Sequence, residues 1–229
     1  MAGKREATVT RKTAETSIEV AIDLDGTGVT EVSTGIPFFD HMLDQLGRHG
    51  SFDLTLKASG DLDVDTHHTV EDVGISLGEA FAEALGNKVG IRRYASLALP
   101  LDEALVEIAI DVSGRPYLAW GITPSITPSV DITSLASIRG EVFNLPSSIW
   151  SISFPLDTPS LGDPPFHPQL AEEFFRAFVN SAKVTLHVRS PQWVNPHHVL
   201  EAAFKALARC LHDATRIDGS MLPSTKGKL

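Results

Sequence analysis

The same pattern of metal-binding side chains, His-His-x-x-Glu, occurs twice in this 229-residue chain and uses four of its nine histidines. On a helix, residues four apart lie on one face, so the first histidine and the glutamate of each copy could bind the same metal ion. The second histidine points about 100° away from that face. One copy can therefore supply ligands to two ions. The six side chains are His67, His68 and Glu71, and His197, His198 and Glu201.

Imidazole and carboxylate groups without a thiolate are ligands typical of Mn, Fe, Co or Zn sites. Two further histidines, His41 and His187, would complete two sites of four ligands each. Four protein ligands leave two positions open on an octahedral ion, and a substrate or water can occupy them. The alternative is a structural role, in which the metals only hold lobes or subunits together.

The composition carries neither a membrane nor a nucleic-acid signature. The chain has no apolar stretch of about 18 residues and no apolar core of a signal peptide, so we expect a cytoplasmic location, with organelle import left open. A net charge of −10 with scattered Lys and Arg argues against a nucleic-acid surface. The single cysteine, Cys210, excludes an intramolecular disulfide and is expected in the core.

Hydrophobic periodicity predicts the same order of strands and helices in both halves of the chain. In each half, the His-His-x-x-Glu pattern opens the second helix, which indicates an internal duplication. We predict one α/β unit of two lobes, residues 1–95 and 96–229, with a proline-rich excursion over residues 121–166. The predicted strands lie at residues 17–24, 52–56, 105–112 and 183–188, and the predicted helices at residues 38–46, 70–85, 170–181 and 199–211.

Several polar side chains outside the two motifs could bind an anionic substrate. Ser224 and Lys226 lie in a Ser-Thr-Lys-Gly segment that offers hydroxyls, backbone amides and an ammonium to a phosphate, or forms a solvated tail. Arg93 and Arg115 are further candidate cations, and an exposed turn is the alternative for Arg115. Three carboxylates stay ambiguous at this point: Glu15, Asp102 and Glu103.

Nine stretches of the chain carry a resemblance to a known family: RKTAET (11–16), PFFDHMLDQLGRHG (37–50), DTHHTVEDVGI (65–75), LDEAL (101–105), SGRPY (113–117), EEFFRAF (172–178), VTLHV (184–188), HHVLEAAFKALARCL (197–211) and STKG (224–227). Together, and in this order, they resemble the imidazoleglycerol-phosphate dehydratases of histidine biosynthesis. The resemblance implies a two-layer α+β fold of the ribosomal protein S5 domain 2-like class. In that fold, each duplicated lobe packs a four-stranded sheet on two helices.

The resemblance also implies a carbon-oxygen hydro-lyase that converts D-erythro-imidazole-glycerol phosphate to imidazole-acetol phosphate with two manganese ions in each active site. It implies a homo-oligomer of 24 subunits with the sites at subunit interfaces. By position, the implied metal ligands are His41, His67, His68, Glu71, His187, His197, His198 and Glu201. The implied substrate contacts are Glu15, His49, Arg93, Arg115, Ser224 and Lys226, with Glu15 a candidate for proton transfer.

Two other classes of protein could use these ligands, and the chain departs from the family in three places, one of them at residue 196. A carboxylate-bridged diiron bundle also spaces Glu and His three residues apart, but it needs long helices with Glu before His, and here the order is reversed. A metal-clamped structural shell would use the same ligands without catalysis. Pro196 stands where the family usually has Asp, so we expect a capping interaction to be lost there.

Overall fold

The computed structural model describes residues 4–122, Phe154 and residues 157–229, and these residues form two four-stranded sheets. The strands are β1 (Glu6–Lys12), β2 (Thr16–Asp23), β3 (Thr30–Ser33), β4 (Asp53–Gly60), β5 (Tyr94–Leu101), β6 (Ala104–Asp111), β7 (Tyr117–Ile122) and β8 (Thr185–Gln192). In each sheet the third strand along the chain pairs in parallel with the fourth, and the other neighbouring strands pair antiparallel. The strand orders, β1-β2-β4-β3 and β5-β6-β8-β7, follow the same pattern, as a duplication predicts.

Two helices accompany each sheet, and the four helices lie between the two sheets. The helices are α1 (Pro37–Gly50), α2 (His67–Leu85), α3 (Leu170–Ala182) and α4 (Pro196–Thr215). The first two pack on the first sheet and the last two on the second, while α1 contacts α4 and α2 contacts α3 across the lobes. The predicted α+β fold of two lobes, each with four strands and two helices, is confirmed. Among the described residues, no helix has the length and apolarity to cross a bilayer.

One aromatic core joins the two lobes. Phe174 on α3 is fully buried, and its ring centroid lies 5.4 Å from that of Phe39 on α1 and 5.1 Å from that of Phe204 on α4. Cys210 is also buried, and burial raises the pKa of its thiol to about 12. The thiol therefore stays protonated at neutral pH, as expected for a core cysteine.

The long connection between the lobes is described only at its ends. Gly121 and Ile122, which the sequence assigned to the excursion, complete β7 instead. Leu161 and Phe166 form an isolated antiparallel bridge near its other end. Residues 123–153 and 155–156 of the predicted excursion lie outside the described residues. The lobe boundary at residue 95 stays a prediction, and β5 of the second sheet begins at Tyr94.

Substituting Gly78 with Val is expected to destabilise the contact between α2 and α3. A Cβ at Gly78 would lie 2.6 Å from the carbonyl oxygen of Phe178 and 2.7 Å from the Cβ of Ser181, so the helices must move apart. Overpacking of this kind costs about 1–3 kcal/mol, which corresponds to at least about 2 °C in the thermal midpoint. Thermal unfolding followed by circular dichroism measures the loss. At the control position, Gly219, no atom lies within 4 Å of an added Cβ, and equal midpoints for the two Val variants would refute the packing argument.

Candidate metal centre

Three candidate ligands from both lobes lie close together where α1 contacts α4. His41 lies on α1, whereas His197 and Glu201 lie one turn apart on α4. The Nε2 atoms of His41 and His197 lie 3.3 Å and 3.0 Å from Oε2 of Glu201. All three ligand atoms lie within 4.8 Å of one another, and no other group of three or more such residues meets this criterion in the described part of the chain. Contact between α1 and α4 therefore builds a potential metal site.

Lys205 holds the carboxylate of this cluster from its other side. Its Nζ lies 2.5 Å from Oε1 of Glu201, four residues earlier on α4, and only 14% of the Glu201 side chain is exposed. Burial opposes the ionisation of Glu201, but hydrogen bonds from Lys205 and His197 outweigh it and lower the pKa of Glu201 to about 2. The carboxylate is therefore ionised at neutral pH. Sequence reasoning missed Lys205, although Glu and Lys four residues apart on a helix are a recognisable pair.

The first-lobe copy of the motif is looser. Nε2 of His67 lies 3.8 Å from Oε2 of Glu71, and 48% of the Glu71 side chain is exposed. The residue one turn after Glu71 is Ile75, so no lysine stands where Lys205 follows Glu201. The two copies share their spacing but differ in how firmly the carboxylate is held.

The second histidine of each motif contacts a different carboxylate. His68 donates from Nδ1 to Asp61, with 3.0 Å between Nδ1 and Oδ2, and Oε2 of Glu15 lies 3.8 Å from the same nitrogen. His198 donates from Nδ1 to Oε2 of Glu103 at 2.8 Å. This hydrogen bond, with one from the backbone amide of Asn195, lowers the pKa of Glu103 to about 2. The sequence left Glu103 ambiguous and did not single out Asp61.

In each motif, a side chain two residues earlier accepts from the backbone amide of the first histidine. The backbone amide of His67 donates to Oδ1 of Asp65 at 2.8 Å, and that of His197 donates to Oδ1 of Asn195 at 2.9 Å. The expectation that Pro196 costs a capping interaction is wrong, because the preceding asparagine supplies the acceptor. Proline at the first helical position also loses no hydrogen bond there.

Gln45 links two histidines on α1. Its Oε1 lies 3.1 Å from Nε2 of His49, and its Nε2 lies 3.5 Å from Nδ1 of His41. Burial and the positive charges of Lys205 and Arg209 lower the pKa of His49. His49 is therefore neutral at pH 7 and belongs to the same polar group as the metal cluster. Gln45 was missed by sequence reasoning, although its spacing of four residues from both histidines was a usable signal.

The candidate phosphate ligands lie around Asp111. Arg93 donates from Nε to Oδ1 of Asp111 at 2.7 Å and from Nη1 to the carbonyl oxygen of Pro223 at 2.6 Å. Nη2 of Arg115 lies 4.0 Å from Oδ2 of the same aspartate. Arg93 thus fixes the C-terminal segment next to the two arginines. Within that segment, Oγ of Ser224 accepts from the backbone amide of Lys226 at 3.2 Å.

His187 lies apart from the three-residue cluster. It is exposed on β8, and its ring centroid lies 5.5 Å from that of Tyr117 on the neighbouring strand. Among the described residues, the ligand atoms of the four remaining metal candidates, His67, His68, Glu71 and His198, likewise fall outside the cluster. A single chain therefore groups some of the eight candidates but does not gather them all.

Known proteins similar to this chain share one description. A family model described as Imidazoleglycerol-phosphate dehydratase matches residues 34–143 and 133–211. The imidazoleglycerol-phosphate dehydratase of Dinoroseobacter shibae is 47% identical over 228 residues, covering 98% of this chain and all of its own length. That of Gluconacetobacter diazotrophicus is 49% identical over 228 residues, with 98% of each chain covered.

Solved structures agree with the sequence matches. The crystal structure of imidazoleglycerol-phosphate dehydratase from Staphylococcus aureus has a TM-score of 0.67 at 29% identity, and the match covers 91% of this chain and 97% of the other. The dehydratase from Pyrococcus furiosus in complex with (S)-C348 has a TM-score of 0.70 at 29% identity, covering 96% and 100%. With the family model matching most of the chain, this protein belongs to the imidazoleglycerol-phosphate dehydratase family and is a hydro-lyase of histidine biosynthesis.

Proposed function

We propose that this chain dehydrates D-erythro-imidazole-glycerol phosphate to imidazole-acetol phosphate in the cytoplasm, with two manganese ions bound by the eight candidate ligands. One observation carries the proposal. The ligand atoms of His41, His197 and Glu201 lie within 4.8 Å of one another in a chain of the dehydratase family. A cluster of this kind can bind a metal next to a substrate. The fold alone does not imply such an activity, because one fold can serve many functions.

The donor set of this cluster fits manganese. Imidazole nitrogens and carboxylate oxygens without a thiolate suit a divalent ion of intermediate hardness. The low pKa of Glu201 supplies an ionised ligand at neutral pH, which metal binding requires. When bound, the two ions would hold the substrate imidazole in their open positions and favour loss of the neighbouring hydroxyl.

The reaction breaks a C–O bond and a C–H bond and releases water. The hydroxyl leaves from the carbon next to the imidazole, the hydrogen leaves from the adjacent carbon, and the resulting enol becomes the ketone of the product. That hydrogen has no neighbouring carbonyl to acidify it, so a carboxylate base alone would not suffice. A positioned proton carrier is still needed, and such a group contributes about 10²–10⁴-fold to the rate.

Glu15 is the proposed proton carrier, and the phosphate is held elsewhere. Glu15 lies in the turn between β1 and β2, 53% of its side chain is exposed, and its Oε2 lies 3.8 Å from Nδ1 of His68. It can therefore reach a substrate next to the motif. The proposed phosphate ligands are the cations and hydroxyl near Asp111, and His49 is a further substrate contact. These phosphate ligands are Arg93, Arg115, Ser224 and Lys226.

We further propose that the chain acts as a homo-oligomer of 24 subunits with the sites at subunit interfaces. The exposed position of His187 on β8 supports this, because a ligand that faces outward can serve a neighbouring subunit. Chelation is then expected to dissociate the particle, since metal-binding free energy is also assembly free energy.

Multi-angle light scattering before and after EDTA treatment measures the dissociation. Restoring manganese, but not adding the same concentration of sodium chloride, should rebuild the large particle. A particle that keeps its size after its metal content has fallen to zero would count against sites at interfaces.

Turnover by the manganese-loaded chain tests the proposed function. We expect formation of imidazole-acetol phosphate, and competitive inhibition by a small azole such as 1,2,4-triazole that can occupy the open metal positions. The structural-shell alternative predicts a particle that contains two manganese ions per chain but neither binds the azole nor turns over the substrate.

A further inference from the structure

We propose that Asp61 and Glu103 are positioning residues, which orient the second histidine of each His-His-x-x-Glu motif so that its Nε2 faces a metal ion. This inference rests on the proposed function, because it assumes that His68 and His198 bind metal. It concerns two carboxylates that are not themselves ligands.

In the second lobe, Glu103 fixes the ring of His198. Oε2 of Glu103 accepts a hydrogen bond from Nδ1 of His198 at 2.8 Å. An ionised carboxylate only accepts, so Nδ1 carries the proton and the lone pair of the neutral ring is on Nε2. Histidine ligands of metals in proteins almost always donate their other ring N–H in this way, which fixes the tautomer and the ring orientation.

Glu103 is itself held in place by the loop that leads into α4. Its Oε1 accepts from the backbone amide of Asn195 at 2.7 Å and from that of Val194 at 3.3 Å. The carboxylate therefore bridges the β5–β6 turn, the start of α4 and the imidazole. With both oxygens engaged, the orientation of His198 is set by the fold rather than by the side chain alone.

In the first lobe, Asp61 makes the same contact from another place in the chain. It follows β4, and its Oδ2 and Oδ1 lie 3.0 Å and 3.3 Å from Nδ1 of His68. The positional counterpart of Glu103 in this lobe is Glu15, since each glutamate immediately precedes the second strand of its sheet. Because Asp61 engages His68, Glu15 is left 3.8 Å away and half-exposed, where it can transfer a proton.

Manganese binding to the metal-free chain, measured by isothermal titration calorimetry, tests the assignment without relying on activity. Asp61→Ala and Glu103→Ala are each expected to lower the affinity for one of the two manganese ions by about 10- to 100-fold, the usual loss on removing such a hydrogen-bond partner. Asp61→Asn should lose less affinity than Asp61→Ala, because its amide oxygen still accepts from Nδ1 of His68. Glu103→Gln should lose nearly as much as Glu103→Ala, because both oxygens of Glu103 accept hydrogen bonds and an amide retains only one of them. Glu79→Ala, an exposed substitution on α2, is the control and should bind both ions normally.

Two results would overturn the proposal. One is that both Ala variants bind both ions as tightly as the unsubstituted chain, and the other is that Asp61→Asn binds manganese as weakly as Asp61→Ala. Circular dichroism of each metal-free variant checks folding. If an Ala variant is unfolded, the manganese affinity of the corresponding amide variant is measured instead. A lower affinity for one ion supports the proposal, and unchanged affinity for both ions refutes it.

The same experiment separates this inference from the proposed function. If the proposed function fails, the unsubstituted chain binds manganese but does not form imidazole-acetol phosphate. If only the positioning role fails, the unsubstituted chain is active and the variants bind both ions as it does.

Discussion

Glu201→Gln is expected to remove one of the two manganese ions and to lower turnover by more than about 100-fold. Oε2 of Glu201 is the common neighbour of His41 and His197, and a neutral amide oxygen is a weaker ligand than an ionised carboxylate. Loss of a residue that only supports a ligand costs about 10- to 100-fold, so loss of the ligand itself should exceed that range. Metal content by mass spectrometry and kcat, measured on the same preparation, give the two results.

Glu83→Gln is the matched control for this substitution. Glu83 is an exposed glutamate near the end of α2, and its variant should keep both ions and normal turnover. If Glu201→Gln behaves like this control, the three-residue cluster is not a metal site.

Glu15→Gln is expected to keep both manganese ions while losing about 10²–10⁴-fold in turnover, the contribution typical of a proton-transfer group. Glutamine has almost the same shape but cannot accept or deliver the proton. Glu15 also lies 3.8 Å from His68 without being the closer partner of that ring, so metal binding should survive. The measurements are again kcat and metal content, now expected to diverge.

The control for Glu15 is Glu19→Gln, an exposed substitution on the adjoining strand β2. It should leave both quantities unchanged. Full turnover of the Glu15 variant with two bound metals would exclude Glu15 from proton transfer.

The sequence revealed the central strands of the two sheets and missed their edges. All four strands found from periodicity, at residues 17–24, 52–56, 105–112 and 183–188, overlap the central strands β2, β4, β6 and β8. Central strands bury one complete face, so their hydrophobic alternation is clear. The missed edge strands carry weaker signals: β3 has four residues, and β5 contains Pro100, which an edge strand tolerates because its amide needs no partner.

Contacts of the candidate site that lie within one helix were predictable from the spacing of their residues in the sequence. The spacing of four residues from His197 to Glu201 places both side chains on one helical face, and the same spacing from Glu201 would have identified Lys205. Asp61 and Glu103 could not be assigned this way, because they reach their histidines across 7 and 95 residues of sequence. Their contacts depend on how each sheet packs on its second helix, which the motif itself does not contain.

We propose that two manganese ions bound by this chain make it a dehydratase of imidazoleglycerol phosphate. Stepwise addition of manganese to the metal-free chain, with turnover measured at each step, tests this proposal. We predict that activity rises with added metal and reaches its maximum at two ions per chain. A chain that binds two ions per chain and still forms no imidazole-acetol phosphate would contradict the proposal.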